Sequence, residues 1–133
     1  MFSHRLSTTP IKTINLWEWL LLENKYTPYI NDIRASSNEE ERKFLKSKLP
    51  AITPSGVFSK RKADCLVEPT NLICIDIDGK DNPSISDMEE LKKKLSKLSY
   101  IMYCGLSASG KGLFCIIPYK DYRNHKLHFN ALE

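Results

Sequence analysis

Asp76 and Asp78 stand two residues apart at the end of the apolar, β-branched run Leu72-Ile73-Cys74-Ile75-Asp76-Ile77-Asp78. A run of this length and composition predicts a buried strand. Side chains two apart on a strand share a face, so the two carboxylates project together, roughly 7 Å apart. They fall at the strand's C-terminal end, where open α/β sheets place their ligands. Two bare carboxylates at that spacing repel each other, and a divalent cation removes the repulsion. Mg²⁺ or Mn²⁺ takes oxygen ligands and bridges to substrate phosphates. Asp76 and Asp78 are therefore the candidate metal ligands and catalytic residues. The alternative is that Asp76 caps a turn while Asp78 opens the Asp-Gly loop.

The second segment with chemistry in it is Gly105-Leu106-Ser107-Ala108-Ser109-Gly110-Lys111-Gly112. It fits the spacing G-x-x-x-x-G-K of a nucleotide-hydrolase phosphate loop. Two features exclude that reading. Gly112 stands where a Ser or Thr should hold Mg²⁺, and the loop feeds the strand-like Leu113 to Pro118 rather than a helix N-terminus. Small residues with hydroxyls, backbone N–H groups and one lysine still suit a phosphate nest. Ser107, Ser109, Gly110, Lys111 and Gly112 are the candidate phosphate-binding residues, with a flexible hairpin turn as the alternative.

Several elements must position these groups. A Trp- and Leu-rich helix is predicted over Leu16 to Glu23, broken by Tyr26-Thr27-Pro28-Tyr29. Ser37-Asn38-Glu39-Glu40 reads as a capping box opening a helix to about Lys48, and Leu49-Pro50 ends it. A turn and short strand follow at residues 52–58. After the Asn71–Asp78 strand and a loop at 79–83, Ser86-Asp87-Met88-Glu89 reads as a second capping box. Its helix carries Met88, Leu91, Leu95 and Leu98 on one face. Strands are expected at Tyr100–Leu106 and Gly112–Tyr119, the two forming a hairpin. A right-handed parallel crossover should link the first of these to the Asp-bearing strand. A last helix should begin near Tyr122; His125 and His128 on it read as surface or core residues.

The chain has 133 residues, 41% apolar and 27% charged, with a net charge of +4. That suffices for one domain, with residues 1–50 as a helical segment and 51–133 carrying the motifs. No apolar run approaches the ~18–20 residues of a membrane span. The four cysteines contain no C-x-x-C pair and read as reduced core thiols of a cytoplasmic protein. The charge is unevenly spread. Residues 42–62 hold seven basic and no acidic side chains, whereas residues 63–90 hold eight acidic and one basic. An acidic centre beside basic flanks suits a metal site next to a polyanion surface. Lys46, Lys48, Lys60, Arg61 and Lys62 are the candidate nucleic-acid contacts; Lys92, Lys93, Lys94 and Lys97 read as one solvated helix face.

The Asp-x-Asp strand followed by Ser107-x-Ser109-Gly110-x-Gly112 resembles the archaeo-eukaryotic primase (primase-polymerase) superfamily. It is closer still to the primase-like VirE N-terminal domain of bacterial mobile-element and phage proteins. Leu49-Pro50-Ala51-Ile52-Thr53-Pro54-Ser55-Gly56-Val57-Phe58, Asn71-Leu72-Ile73-Cys74-Ile75-Asp76-Ile77-Asp78-Gly79 and Gly110-Lys111-Gly112-Leu113-Phe114 carry that likeness, over roughly residues 45–133. The resemblance implies an α+β fold, an RRM-like βαββ sheet with helices on one side behind a small helical segment. It implies two-metal nucleotidyl transfer, with the aspartates on the ions and Ser107, Ser109 and Lys111 on an incoming nucleoside triphosphate. The basic stretch would follow a nucleic-acid template, and Tyr100, Tyr103 and Phe114 would stack bases or pack in the core. The N-terminal piece of a longer protein, continuing into a helicase-type domain, is the expected context. Phe114 replaces the motif histidine, and the family's third acidic residue has no counterpart.

Two other classes fit the same residues. Ile75-Asp76-Ile77-Asp78-Gly79 also matches the first motif of haloacid-dehalogenase-like phosphatases, with Asp76 as nucleophile, although past Lys111 the only acids are Asp121 and Glu133. A nucleic-acid-binding or regulatory module that has lost activity would equally place Phe114 at the histidine position.

Overall fold

The computed structural model describes residues 1–4 and 6–120. The helix expected from Tyr122, with His125 and His128, lies outside the described residues. The fold is α+β, with small helices and two antiparallel sheets. The chain divides into two compact units, one of residues 1–53 with 57–68 and the other of 54–56 with the chain from Pro69 onward.

The first unit begins with helix α1, Leu16–Leu21, whose start is fixed by Asn15. The Asn15 Oδ1 accepts the N–H groups of Trp17 and Glu18 at 3.0 and 3.1 Å. Pro28 does not merely end this helix. It sits in the first turn of a second one, α2, Thr27–Ala35. Proline has the right φ for that position and lacks only an N–H that a first turn leaves unbonded. Helix α3, Glu39–Ser47, packs on α2, and Ile33 of α2 is fully buried. Its N-cap is Asn38 rather than Ser37, because the Asn38 Oδ1 takes the N–H groups of Glu40 and Glu41. Three glutamates in the first turn complement the positive end of the helix dipole. After Pro50 the chain returns to the N-terminus: Phe2 and Ala51 exchange both backbone hydrogen bonds, at 2.7 and 3.1 Å, and Phe2 is buried.

Strand β1, Gly56–Phe58, confirms the short strand expected there, and pairs with β2, Leu66–Pro69, across a 3₁₀ turn at Ala63–Cys65. The sequence gives little sign of β2, since it is four residues long and contains Pro69.

The second unit holds strands β3 (Leu72–Asp78), β4 (Tyr103–Leu106) and β5 (Gly112–Pro118) with helix α4 (Met88–Leu95). The sheet order is β3-β5-β4, both pairings antiparallel. The hairpin of β4 and β5 is as expected. The crossover differs: β3 and β4 run parallel but are not neighbours, because β5 inserts between them as a split βαβ. β5 is the most buried strand, with Leu113, Cys115, Ile116 and Ile117 in the core beside Ile73 of β3.

Three boundaries shift for local reasons. The N-cap of α4 is Asp87, not Ser86, its carboxylate accepting the N–H groups of Glu89 and Glu90; such a cap stabilises by about 1 kcal/mol. The helix stops at Leu95, where the Ser96 hydroxyl donates to the Lys92 carbonyl at 2.7 Å, so Leu98 leaves the apolar stripe. β4 starts at Tyr103 instead of Tyr100, since the ladder would next need an N–H from Pro118. Among the described residues no helix is long and apolar enough to cross a membrane.

Candidate functional site

The antiparallel register brings the two sequence motifs together. Asp78 lies opposite Gly112 and Asp76 opposite Phe114. Ile73, Ile75 and Ile77 alternate with Cys74, Asp76 and Asp78, so the carboxylates share one face of β3. Both are exposed. Every pairing in this sheet is antiparallel, so the rule for strand ends of open parallel sheets does not place the site. The antiparallel pairing of β3 with β5 does.

The loop between β4 and β5 is closed by its own hydroxyls. The Ser107 Oγ accepts the Gly112 N–H at 3.1 Å and lies 3.3 Å from the Ser109 Oγ. The Ser109 Oγ in turn accepts the Lys111 N–H at 3.3 Å. Backbone bonds from Ser107 N–H to Gly112 O and from Gly110 N–H to Ser107 O, both 2.9 Å, complete the turn. Gly110 has φ 74°, a left-handed conformation that glycine adopts without strain. The N–H groups of Gly110, Lys111 and Gly112 are thus committed inside the loop.

Two glycines let the motifs meet. A Cβ on Gly112 would stand 2.7 Å from the Ile77 carbonyl oxygen and 3.5 Å from the Ser107 Oγ. A Cβ on Gly79 would collide with the Lys111 carbonyl oxygen, which accepts the Gly79 N–H at 3.1 Å. Asp78 also performs the loop-opening role weighed for it: its Oδ1 accepts the Lys80 N–H at 2.9 Å. Its second oxygen remains available, as do both of Asp76. Among the described residues no group of three or more His, Cys, Asp or Glu side chains is placed to hold a metal ion. A carboxylate pair still fits Mg²⁺ or Mn²⁺, which keep several waters and need only one or two protein carboxylates.

Of the three aromatics weighed for stacking, Tyr103 and Phe114 come together, ring centroids 5.6 Å apart. They lean over Gly105, where a Cβ would meet both rings at 2.9 and 3.1 Å. Tyr100 lies in the turn before β4 and is half exposed. Behind the loop, Gly79, Met88, Leu106 and Lys111 help line a cleft of about 390 Å³.

The basic candidates belong to the first unit. Lys48 sets its Nζ 4.5 Å from the centre of the Phe44 ring, and the Arg61 guanidinium lies 5.4 Å from that of Phe2. Lys60, Arg61 and Lys62 are exposed and Lys46 is half-buried. Of the four lysines expected on one solvated helix face, Lys93 and Lys94 are exposed, Lys92 is half-buried and Lys97 lies beyond the end of α4; Lys92 and Lys94 pair with Glu89 and Glu90 of their own helix. Sequence reasoning missed Phe44, 61% exposed; its only signal was an aromatic inside an acid-free basic stretch.

All four cysteines carry free thiols. Cys104 and Cys115 face each other across the β4–β5 ladder, the Cys115 thiol donating to the Cys104 sulfur at 3.4 Å. Burial, and then this bond, push Cys115 far above its ordinary value of 9.0. The folded state therefore disfavours the thiolate. Its contribution is fully present below pH 9 and is lost as the pH climbs above that. Denaturant unfolding at stepped pH is expected to show a decline beginning near pH 9 that Cys115→Ala reduces; an equal decline in both proteins would contradict it.

The chain belongs to the family described as BT4734-like, N-terminal domain, whose model matches residues 44–131. That match corrects the resemblance drawn from the motifs, which pointed to the primase-like VirE N-terminal domain family. Asp-x-Asp and a Ser-Gly hairpin are short enough to be shared between families. No curated protein and no solved structure matches the chain.

Proposed function

We propose that this domain is a metal-dependent nucleotide- and nucleic-acid-binding module, serving nucleotidyl transfer of the kind used to replicate a mobile element or phage. The observation that carries it is the pairing of Asp78 with Gly112, which sets the carboxylate pair beside the hydroxyl-rich loop. The strand order β3-β5-β4 with α4 supports an RRM-like sheet as the scaffold.

In this reading Asp76 and Asp78 hold Mg²⁺ or Mn²⁺ through their free oxygens. A bound ion would polarise a phosphoryl oxygen and lower the pKa of an attacking hydroxyl. The Ser107 and Ser109 side chains and the Lys111 ammonium orient the phosphates of a nucleoside triphosphate. Lys46, Lys48, Lys60, Arg61 and Lys62 hold the backbone of a nucleic-acid strand, with an affinity that falls as salt rises. Two-metal transfer needs a further acidic ligand, and the described residues place none there. Phe114, opposite Asp76 and packed on Tyr103, can neither give nor take a proton. That favours, as a second reading, a module that binds without catalysing.

Mn²⁺ titration followed by NMR tests the site. Paramagnetic broadening should centre on Asp76 and Asp78, spread to Ser107 and Gly112, and disappear in Asp76→Asn. An unchanged Mn²⁺ response in that variant would remove the metal site, and with it the nucleotidyl-transfer reading, leaving nucleic-acid binding to be tested separately.

A further inference from the structure

We infer that the basic surface of the first unit selects single-stranded over double-stranded nucleic acid, by stacking a base on the Phe44 ring beside Lys48. This rests on the strand-holding role proposed above and names the form of strand held.

Lone apolar side chains on a surface are ordinary, and exposure of Phe44 alone carries nothing. Three observations together do. The ring is 61% exposed on α3. The Lys48 ammonium sits 4.5 Å from the centre of this largely exposed ring. The ring lies in a stretch, residues 42–62, with seven cations and no acid, which outnumber the three glutamates of the first turn of α3, so the region as a whole attracts a polyanion.

At the far end of that stretch Phe58, Arg61 and Lys62, with Thr53 and Ala63, line a recess of about 210 Å³. It is smaller than the roughly 300 Å³ at which pockets for whole ligands begin, and it suits one ring at most. An aromatic ring with cations beside it matches how proteins hold single strands, since every base has a π-face to stack. In a duplex those faces are already occupied by neighbouring bases. Phosphate contacts from lysine and arginine favour both forms, so the aromatic ring is what separates them.

The test is fluorescence anisotropy of a labelled oligothymidylate of about twelve nucleotides against a duplex of equal length, both in EDTA. The wild-type chain should bind the single strand more tightly. Phe44→Ala should weaken that binding by roughly 5–150-fold, leaving duplex binding and the salt slope unchanged. Phe44→Leu, which keeps apolar surface without a π-face, should show a similar loss. Lys48→Ala should instead reduce the slope of log affinity against log salt by about 0.7. Equal affinity for the two forms, or no loss in Phe44→Ala, would overturn the inference; so would wild-type affinity in Phe44→Leu, which would show that apolar surface without a π-face holds the strand. Because EDTA strips any ion from Asp76 and Asp78, strand binding without Mn²⁺ broadening would sink the metal site alone. Mn²⁺ broadening without strand preference would sink this inference alone.

Discussion

Replacing Ile116 with alanine is expected to lower the unfolding free energy by about 2–5 kcal/mol. Ile116 is fully buried on β5, between Cys74 of β3 on one side and Tyr103 of β4 on the other. Truncation removes apolar burial and leaves a void flanked by strands that cannot close over it without losing ladder bonds. Urea unfolding should show a lower midpoint at an unchanged slope. Leu98→Ala, at a residue 38% exposed outside any strand, serves as the comparison. A similar small shift in both variants would mean that β5 is not the centre of the core.

Gly79→Ala is expected to act on stability and on the site at once. The new methyl would meet the Lys111 carbonyl oxygen and lie 3.1 Å from the Met88 Cε. Methionine can move aside, but the carbonyl belongs to backbone fixed by the hairpin. The end of the β3–β5 pairing must open, at a loss of about 1–3 kcal/mol. Asp78 then drifts from Gly112 and the serine loop. The variant should show both a lowered urea midpoint and weakened Mn²⁺ broadening around Ser107. A destabilised variant with a full Mn²⁺ response would show that Asp76 and Asp78 bind without the loop.

The residues of the candidate site were legible because they announce themselves by type: two acids in an apolar run, hydroxyls among glycines. Their meeting was not. It depends on β5 pairing with β3, a contact across more than thirty residues, and no local pattern records which of two hydrophobic strands will sit in the middle. Local signals failed by small margins where two good caps stood side by side. Asn38 won over Ser37 and Asp87 over Ser86, since each neighbour can cap a helix that begins one residue earlier and helix register decides. Pro28 was legible as punctuation, but punctuation opens a helix as readily as it closes one. Phe44 fell within a helix whose apolar positions are normally buried, and only the packing of α3 reveals that this one is not. The family assignment turned on more of the chain than the two motifs, and so lay outside what they specify.

The central place of β5 has a consequence for synthesis. Neither β3 nor β4 has a neighbour in its sheet until β5 has been made, and about 40 residues separate Asp78 from Pro118. At roughly 5–20 residues per second that leaves Leu72–Ile77 unpaired for about 2–8 s. Such a β-branched apolar segment is a template for aggregation while it waits. Asp76 and Asp78 interrupt it with charge at its end, as flanking charges protect unavoidable hydrophobic strands. The two carboxylates thus guard the nascent chain before they are ever assembled beside the loop, and an Asp76→Asn/Asp78→Asn chain would be harder to produce in soluble form for a reason unconnected with metal.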